Sequence, residues 1–192
     1  MTKSMFFRRV RLPLLAAALA LTACDDPFAN QPWSAVPDTV SLYSAGRIEY
    51  AGMPSALSLA GNSIGIVAID QTGGAGEWDF LLNEGDGELL FVPSSIVPGL
   101  ESRAGIVRSD ASTLEEVERA PESGAFSTEA EALVEGAIYI LRSRRSSTCI
   151  ARGSNYAKIE VVELDEARGI ATMAIVRNPY CDDRDLIPPD DD

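Results

Sequence analysis

Ala137-Ile138-Tyr139-Ile140-Leu141-Arg142-Ser143-Arg144, Tyr156-Ala157-Lys158-Ile159-Glu160-Val161-Val162-Glu163-Leu164 and Ile170-Ala171-Thr172-Met173-Ala174-Ile175-Val176-Arg177 decide the fold. Each is short, rich in β-branched and aromatic residues, and bounded by turn formers, the pattern of strands rather than of helices. Asp165-Glu166-Ala167-Arg168-Gly169 joins the last two, with glycine at the end where a bulge turn needs a positive φ. The three stretches therefore read as an up-down-up antiparallel meander.

Upstream the same rhythm continues. Strands are expected near Val40 to Ser44, Leu57 to Leu59, Ile64 to Asp70, Trp78 to Leu82, Leu89 to Val92 and Gly105 to Arg108. Asn83-Glu84-Gly85-Asp86-Gly87 reads as a tight hairpin between two of them. One helix is expected over Ser112 to Arg119: Ser112 and Glu115 fit a capping box, Leu114 and Val117 share a face, and Pro121 stops it. The expectation is a mainly β domain over residues 39–182, an antiparallel sandwich or partly open barrel with one short surface helix.

At the N-terminus Lys3, Arg8, Arg9 and Arg11 precede an Ala/Leu run from Leu12 to Leu21, broken by Pro13 and too short to span a bilayer permanently. The run closes on Leu21-Thr22-Ala23-Cys24, which resembles the lipobox of bacterial lipoproteins. That resemblance implies a signal peptide over 1–23 and a Cys24 that becomes the acylated mature N-terminus. The alternative is an ordinary secretory signal beside an incidental cysteine. Two or three acyl chains on one residue give stable attachment, so the membrane is an expected partner. The implied address is the bacterial cell envelope, lipid-anchored, on the periplasmic face of the inner or outer membrane or at the cell surface. Residues 24–38, with three prolines, read as a tether, and residues 183–192 as an acidic tail.

Beyond Ala23 remain 169 of the 192 residues, enough for one domain with its own core. They hold 12 basic against all 29 acidic residues, a formal charge of −17. Such a field repels nucleic acid and anionic headgroups, although Arg142, Arg144 and Arg145 form one basic cluster. With Cys24 spent on lipid, Cys149 and Cys181 are left in an oxidising compartment, and a disulfide between them is expected. In a meander they follow strands about 9.6 Å apart, so the loops beyond must converge to within ~7 Å.

The chain has no histidine, which excludes Ser-His-Asp and Cys-His catalysis, histidine zinc sites and any histidine general base. Gly73-Gly74-Ala75-Gly76 lacks the ending of a phosphate loop. No spacing singles out a catalytic carboxylate pair, and the aspartates at 182, 183 and 185 match no calcium loop. No catalytic residue, metal or cofactor is assigned. The candidates for ligand binding are Trp78, Arg142, Arg144 and Tyr156. Alternation would put Arg142 and Arg144 on one face, as a guanidinium clamp for carboxylate or phosphate, or merely as charges guarding a sheet edge. Trp78 and Phe80 also share a face by alternation, where plain aromatic core is the competing reading.

Glu77-Trp78-Asp79-Phe80, the strand from Ala137 to Ser143, Tyr156-Ala157-Lys158-Ile159 and the closing strand after Gly169 together resemble the HmuY-like group of β-rich lipoproteins, some of which capture haem. The resemblance implies a fold and an envelope location. Paired histidine ligands, used by that family's best-known form, have no counterpart here, leaving Met53, Met173 or a tyrosine as the available iron ligands. The sequence thus points to a lipid-anchored envelope protein that binds a small ligand or a protein partner and catalyses nothing. The alternatives are a carrier of haem or another hydrophobic ligand, and a scaffold lipoprotein of an envelope complex.

Overall fold

The computed structural model describes residues 33–61, 63–69, 76–147, 149 and 153–189, all within one compact unit, Gln31–Asp192. The stretch read as a signal peptide, Cys24, most of the expected tether and Gly73-Gly74-Ala75 lie outside the described residues. Among these described residues ten strands form two five-stranded antiparallel sheets packed as a sandwich. They are β1 (Asp38–Tyr43), β2 (Ala56–Ser58), β3 (Gly65–Val67), β4 (Phe80–Gly85), β5 (Glu88–Pro93), β6 (Gly105–Ser109), β7 (Glu131–Ala132), β8 (Ile138–Arg142), β9 (Tyr156–Asp165) and β10 (Ile170–Arg177). One sheet runs β1-β10-β9-β8-β6 and the other β3-β2-β4-β5-β7. All nine expected strands are present, with ends shifted by at most three residues, and β7 is the addition.

Alternation sorts the meander into two faces. Tyr139, Leu141, Ala157, Ile159, Val161, Ala171, Met173 and Ile175 point into the sandwich and meet Leu57, Phe80, Leu82, Leu89 and Phe91 from the second sheet. Phe80 and Phe91 stack there with centroids 5.0 Å apart. Ile138, Ile140 and Tyr156 have the opposite parity and pack outside the first sheet against Leu114, Val117, Ala120, Phe126 and Leu186. A bulge at Thr172/Met173 resets the β9–β10 register and leaves Val162 half exposed. The β4–β5 hairpin closes through Asp86 (φ 53°) and Gly87 (φ 90°), the two positive φ values that a two-residue turn demands.

The helix expected over Ser112 to Arg119 does not form; the segment consists of bends and turns. Its backbone groups are spent on the C-terminal segment instead: Ala120 N–H donates to Arg184 O (2.7 Å) and Leu186 N–H to Glu118 O (2.7 Å). The Ser112 N–H is taken by Glu116 (2.7 Å), not Glu115. Residues 184–187 lie alongside this crossover, with Leu186 fully buried.

Topology gives the sandwich two unlike ends. At one end the hairpin turns meet, and Arg47 joins them, donating to Glu84 (2.5 Å), Ala167 O (2.7 Å) and Glu166 O (3.0 Å). The other end collects the connections that follow β2, β5 and β8, the approach to β4, and the chain after β10. Residues 33–37 also enter there, because Asp38 pairs with Ile175 near the close of β10.

Candidate functional site

Asp79 organises this second end. It immediately precedes β4 and is fully buried, an ionisable side chain placed where water does not reach. One carboxylate oxygen accepts from the N–H groups of Leu59 (2.5 Å) and Ala60 (3.2 Å), and the other from the N–H of Arg144 (2.6 Å) and its guanidinium (3.1 Å). Both oxygens are thus fully used, tying the β2 and β8 connections to β4 across the two sheets. Burial pushes the Asp79 carboxyl up, opposed by Arg144 and by the backbone N–H groups.

A second guanidinium, that of Arg177, feels the Asp79 charge without an ion pair to it among the described residues. Arg177 keeps the inward parity of β10 and donates to Leu59 O (2.9 Å) and Gly61 O. Burial pulls it down to about 10, with Asp79 opposing through its charge. Arg144 also reaches Ser58 Oγ (3.2 Å). The cluster therefore carries a net positive charge beneath the surface of a strongly acidic domain.

Above it opens a cleft of about 340 Å³, lined by Ala60 and Gly61, Gly76 and Glu77, Leu100 to Ser102, and Arg144 to Ser147. Four connections from both sheets supply these walls, the usual way a rigid sandwich presents variable recognition loops. Ser102 is fixed by bonds to Ser94 Oγ (2.8 Å) and from Ala104 N–H (3.1 Å). Arg145 is exposed and makes no ion pair with a described residue, whereas Arg144 is largely covered and held by Asp79. Glu77 and Glu101 sit in the same lining, again without an ion pair to either arginine among the described residues.

The Cys149–Cys181 disulfide braces this end, with Cα atoms 5.6 Å apart. The loops converge because the β8–β9 connection folds back on itself and onto the chain after β10. Ser146 N–H donates to Gly153 O (2.9 Å), Asp182 N–H to Ser154 O (2.8 Å), and Ser154 N–H to the Asp182 carboxylate (2.9 Å). Asn155 adds a bond to Pro179 O (3.2 Å).

Of the four candidates from the sequence, the structure brings Arg144 alone to the cleft. Arg142 and Arg144 do not share a face, because β8 ends at Arg142 and alternation lapses beyond it. Arg142 is buried outside the first sheet, donating to Arg103 O (2.8 Å) and Ser123 O (3.0 Å) and lying 4.8 Å from the Phe126 ring centroid. Nor does it guard an edge, since β8 lies between β9 and β6. Tyr156 is buried beside Phe126, with ring centroids 6.0 Å apart, and Trp78 is buried without lining the cleft. Asp79 and Arg177 escaped the sequence reading. The available signal was a charge against an apolar strand, at Asp79-Phe80 and at Val176-Arg177.

The three C-terminal aspartates do not converge: Asp182 bonds Ser154, Asp183 accepts from Asp185 N–H (3.1 Å), and Asp185 pairs with Arg119 (2.5 Å). Among the described residues no group of three or more Asp, Glu, Cys or His side chains is placed to hold a metal ion. Compared with known proteins, the chain matches no family model, and no curated protein is significantly similar to it. The class defined by fold and site is an antiparallel β-sandwich with a polar, arginine-bearing cleft between its loops.

Proposed function

We propose that this is a lipid-anchored binding protein of the bacterial cell envelope, without catalytic activity, that holds a small ligand through an anionic group in the Arg144–Arg145 cleft. The observation that carries the reading is the charge arrangement at that end. One guanidinium is fixed in place by a carboxylate with no acceptor capacity left, a second beside it makes no ion pair with a described residue, and Arg177 adds buried positive charge below. A pre-positioned guanidinium loses little freedom on binding and suits the planar geometry of carboxylate or phosphate. The lipobox-like Leu21-Thr22-Ala23-Cys24 and the resemblance to HmuY-like lipoproteins support the location.

A hydrophobic carrier is less well supported. Among the described residues, a cleft with mainly apolar walls, between Pro37, Leu114, Val176 and Leu186, measures about 150 Å³, whereas ligand pockets start near ~300 Å³. Of the methionines available for haem, Met173 is sealed in the core and Met53 lies on the β1–β2 connection, away from the Arg144 cleft.

Calorimetric titration of the detergent-extracted protein with inorganic phosphate and with acetate tests the proposal. Saturable binding that weakens at least about tenfold in Arg145→Ala is expected, the scale of one lost charge-assisted hydrogen bond. Binding unchanged by Arg145→Ala, or no binding to the native protein, overturns it.

A further inference from the structure

The cleft holds both signs of charge, and among the described residues its glutamates and arginines form no ion pair with each other. Arg144 and Arg145 belong to the β8–β9 connection, Glu77 to the approach to β4, and Glu101 to the β5–β6 connection. An exposed ion pair gains little and costs side-chain freedom, so these charges stay available to a ligand that brings its own counter-charges. Here neither glutamate pairs with either arginine among the described residues, and the Asp79 bonds tie Arg144 to the approach to β4 through a carboxylate other than Glu77. Serine hydroxyls at Ser102 and Ser147 complete a lining with few apolar side chains, among them Leu100 and Ala60.

A purely anionic ligand would satisfy the arginines and meet the repulsion of two carboxylates. A ligand bearing an ammonium a few bonds from its anionic group would satisfy both walls at once. We therefore infer that the cleft takes a zwitterion, with the anionic oxygens on Arg144 and Arg145 and a primary ammonium on Glu77 and Glu101. This rests on the anion-binding reading above and narrows it. The chemistry is shared by free amino acids or short peptides and by the headgroup of an ethanolamine phospholipid. In either case the ammonium must retain N–H donors, because a carboxylate recognises a primary amine by hydrogen bonds as well as charge.

Paired titrations of the detergent-extracted protein separate this inference from its parent. Phosphoethanolamine is compared with inorganic phosphate, and glycine with acetate. Each zwitterion should bind about tenfold tighter than its anion, and the Glu77→Gln/Glu101→Gln double variant should erase that advantage while leaving phosphate binding no weaker. Equal affinities for zwitterion and anion would overturn the inference and leave the anion site standing. No binding of any of the four would remove both. The source is read in a second arm, using the full chain with Cys24→Ser so that acylation plays no part. Co-sedimentation with phosphatidylethanolamine vesicles but not phosphatidylcholine vesicles assigns the site to a lipid headgroup, and glycine binding without vesicle binding assigns it to a free solute. Equal sedimentation with both vesicle types contradicts recognition through N–H donors.

Discussion

Asp79 is a single residue on which the β2 and β8 connections and the placement of Arg144 depend. Replacing it by alanine leaves Arg144 and the N–H groups of Leu59 and Ala60 without their acceptor. Breaking a buried pair from one side typically costs about 3–5 kcal/mol, so Asp79→Ala should lower the urea midpoint by that equivalent, whereas Arg145→Ala, an exposed residue, should leave it nearly unchanged. Lys158 offers a second test. It is buried at 4% exposure on the outer face of β9 and donates to Val117 O (3.0 Å). Burial holds its ammonium below the ordinary lysine value, with Glu115 and Glu118 opposing. Between its folded value and about 10.4, the unfolded chain binds the extra proton, so this group makes stability rise with pH across that window. Lys158→Met should flatten the slope of stability against pH below about 10, where tyrosines do not yet contribute; an identical slope in both proteins would refute the assignment. At this scale the sequence was only partly legible. Arg144 was visible as a charge in a basic cluster, but its partner Asp79 lies 65 positions away, and no pattern within either segment reveals the pairing.

The strands could be read because the signal is local: alternation, β-branched residues and turn chemistry at Asp86-Gly87 and Gly169 all lie within the element itself. The segment from Ser112 to Arg119 could not be read the same way. Its helical pattern is real in the sequence, but the bonds that settle its conformation come from residues near 185. Short helices are marginal alone, so a competing partner decides. Far-UV circular dichroism should accordingly show a β spectrum without a distinct helical minimum. The C-terminal elements also depend on the disulfide, which closes a loop with a sequence separation of 32. Chain entropy alone assigns such a bridge about 3.7 kcal/mol. The double variant Cys149→Ser/Cys181→Ser should lose stability of that order and weaken cleft binding, since Arg144 to Ser147 share the braced connection. Full stability without the bridge would mean that the hydrogen bonds around Asn155 and Asp182 suffice to hold it.

For the whole molecule the deciding fact is that entry point and cleft share one end. Asp38 pairs near the close of β10, and Trp33 rests edge-on against Tyr180, 6.0 Å between centroids, just before Cys181. Between Cys24 and Trp33 the chain can extend at most about 30 Å, at ~3.3–3.6 Å per residue. If Cys24 carries the acyl chains proposed above, Trp33 is confined to that distance from the lipid surface, and the Arg144 cleft occupies the membrane-proximal end. The hairpin end at Arg47 then faces away. An acidic domain resists lying flat on anionic lipid, so the short leash, not electrostatic attraction, sets this orientation. Both tryptophans, Trp33 and Trp78, fall in the segments at the cleft end, which makes the arrangement measurable. Energy transfer from tryptophan to dansyl-labelled headgroups should be strong for the acylated protein in vesicles and vanish in Cys24→Ser, which should also leave the membrane fraction. Vesicle-bound protein showing no transfer would place the cleft on the distal side, and a Cys24→Ser protein still firmly bound would remove the acyl anchor itself.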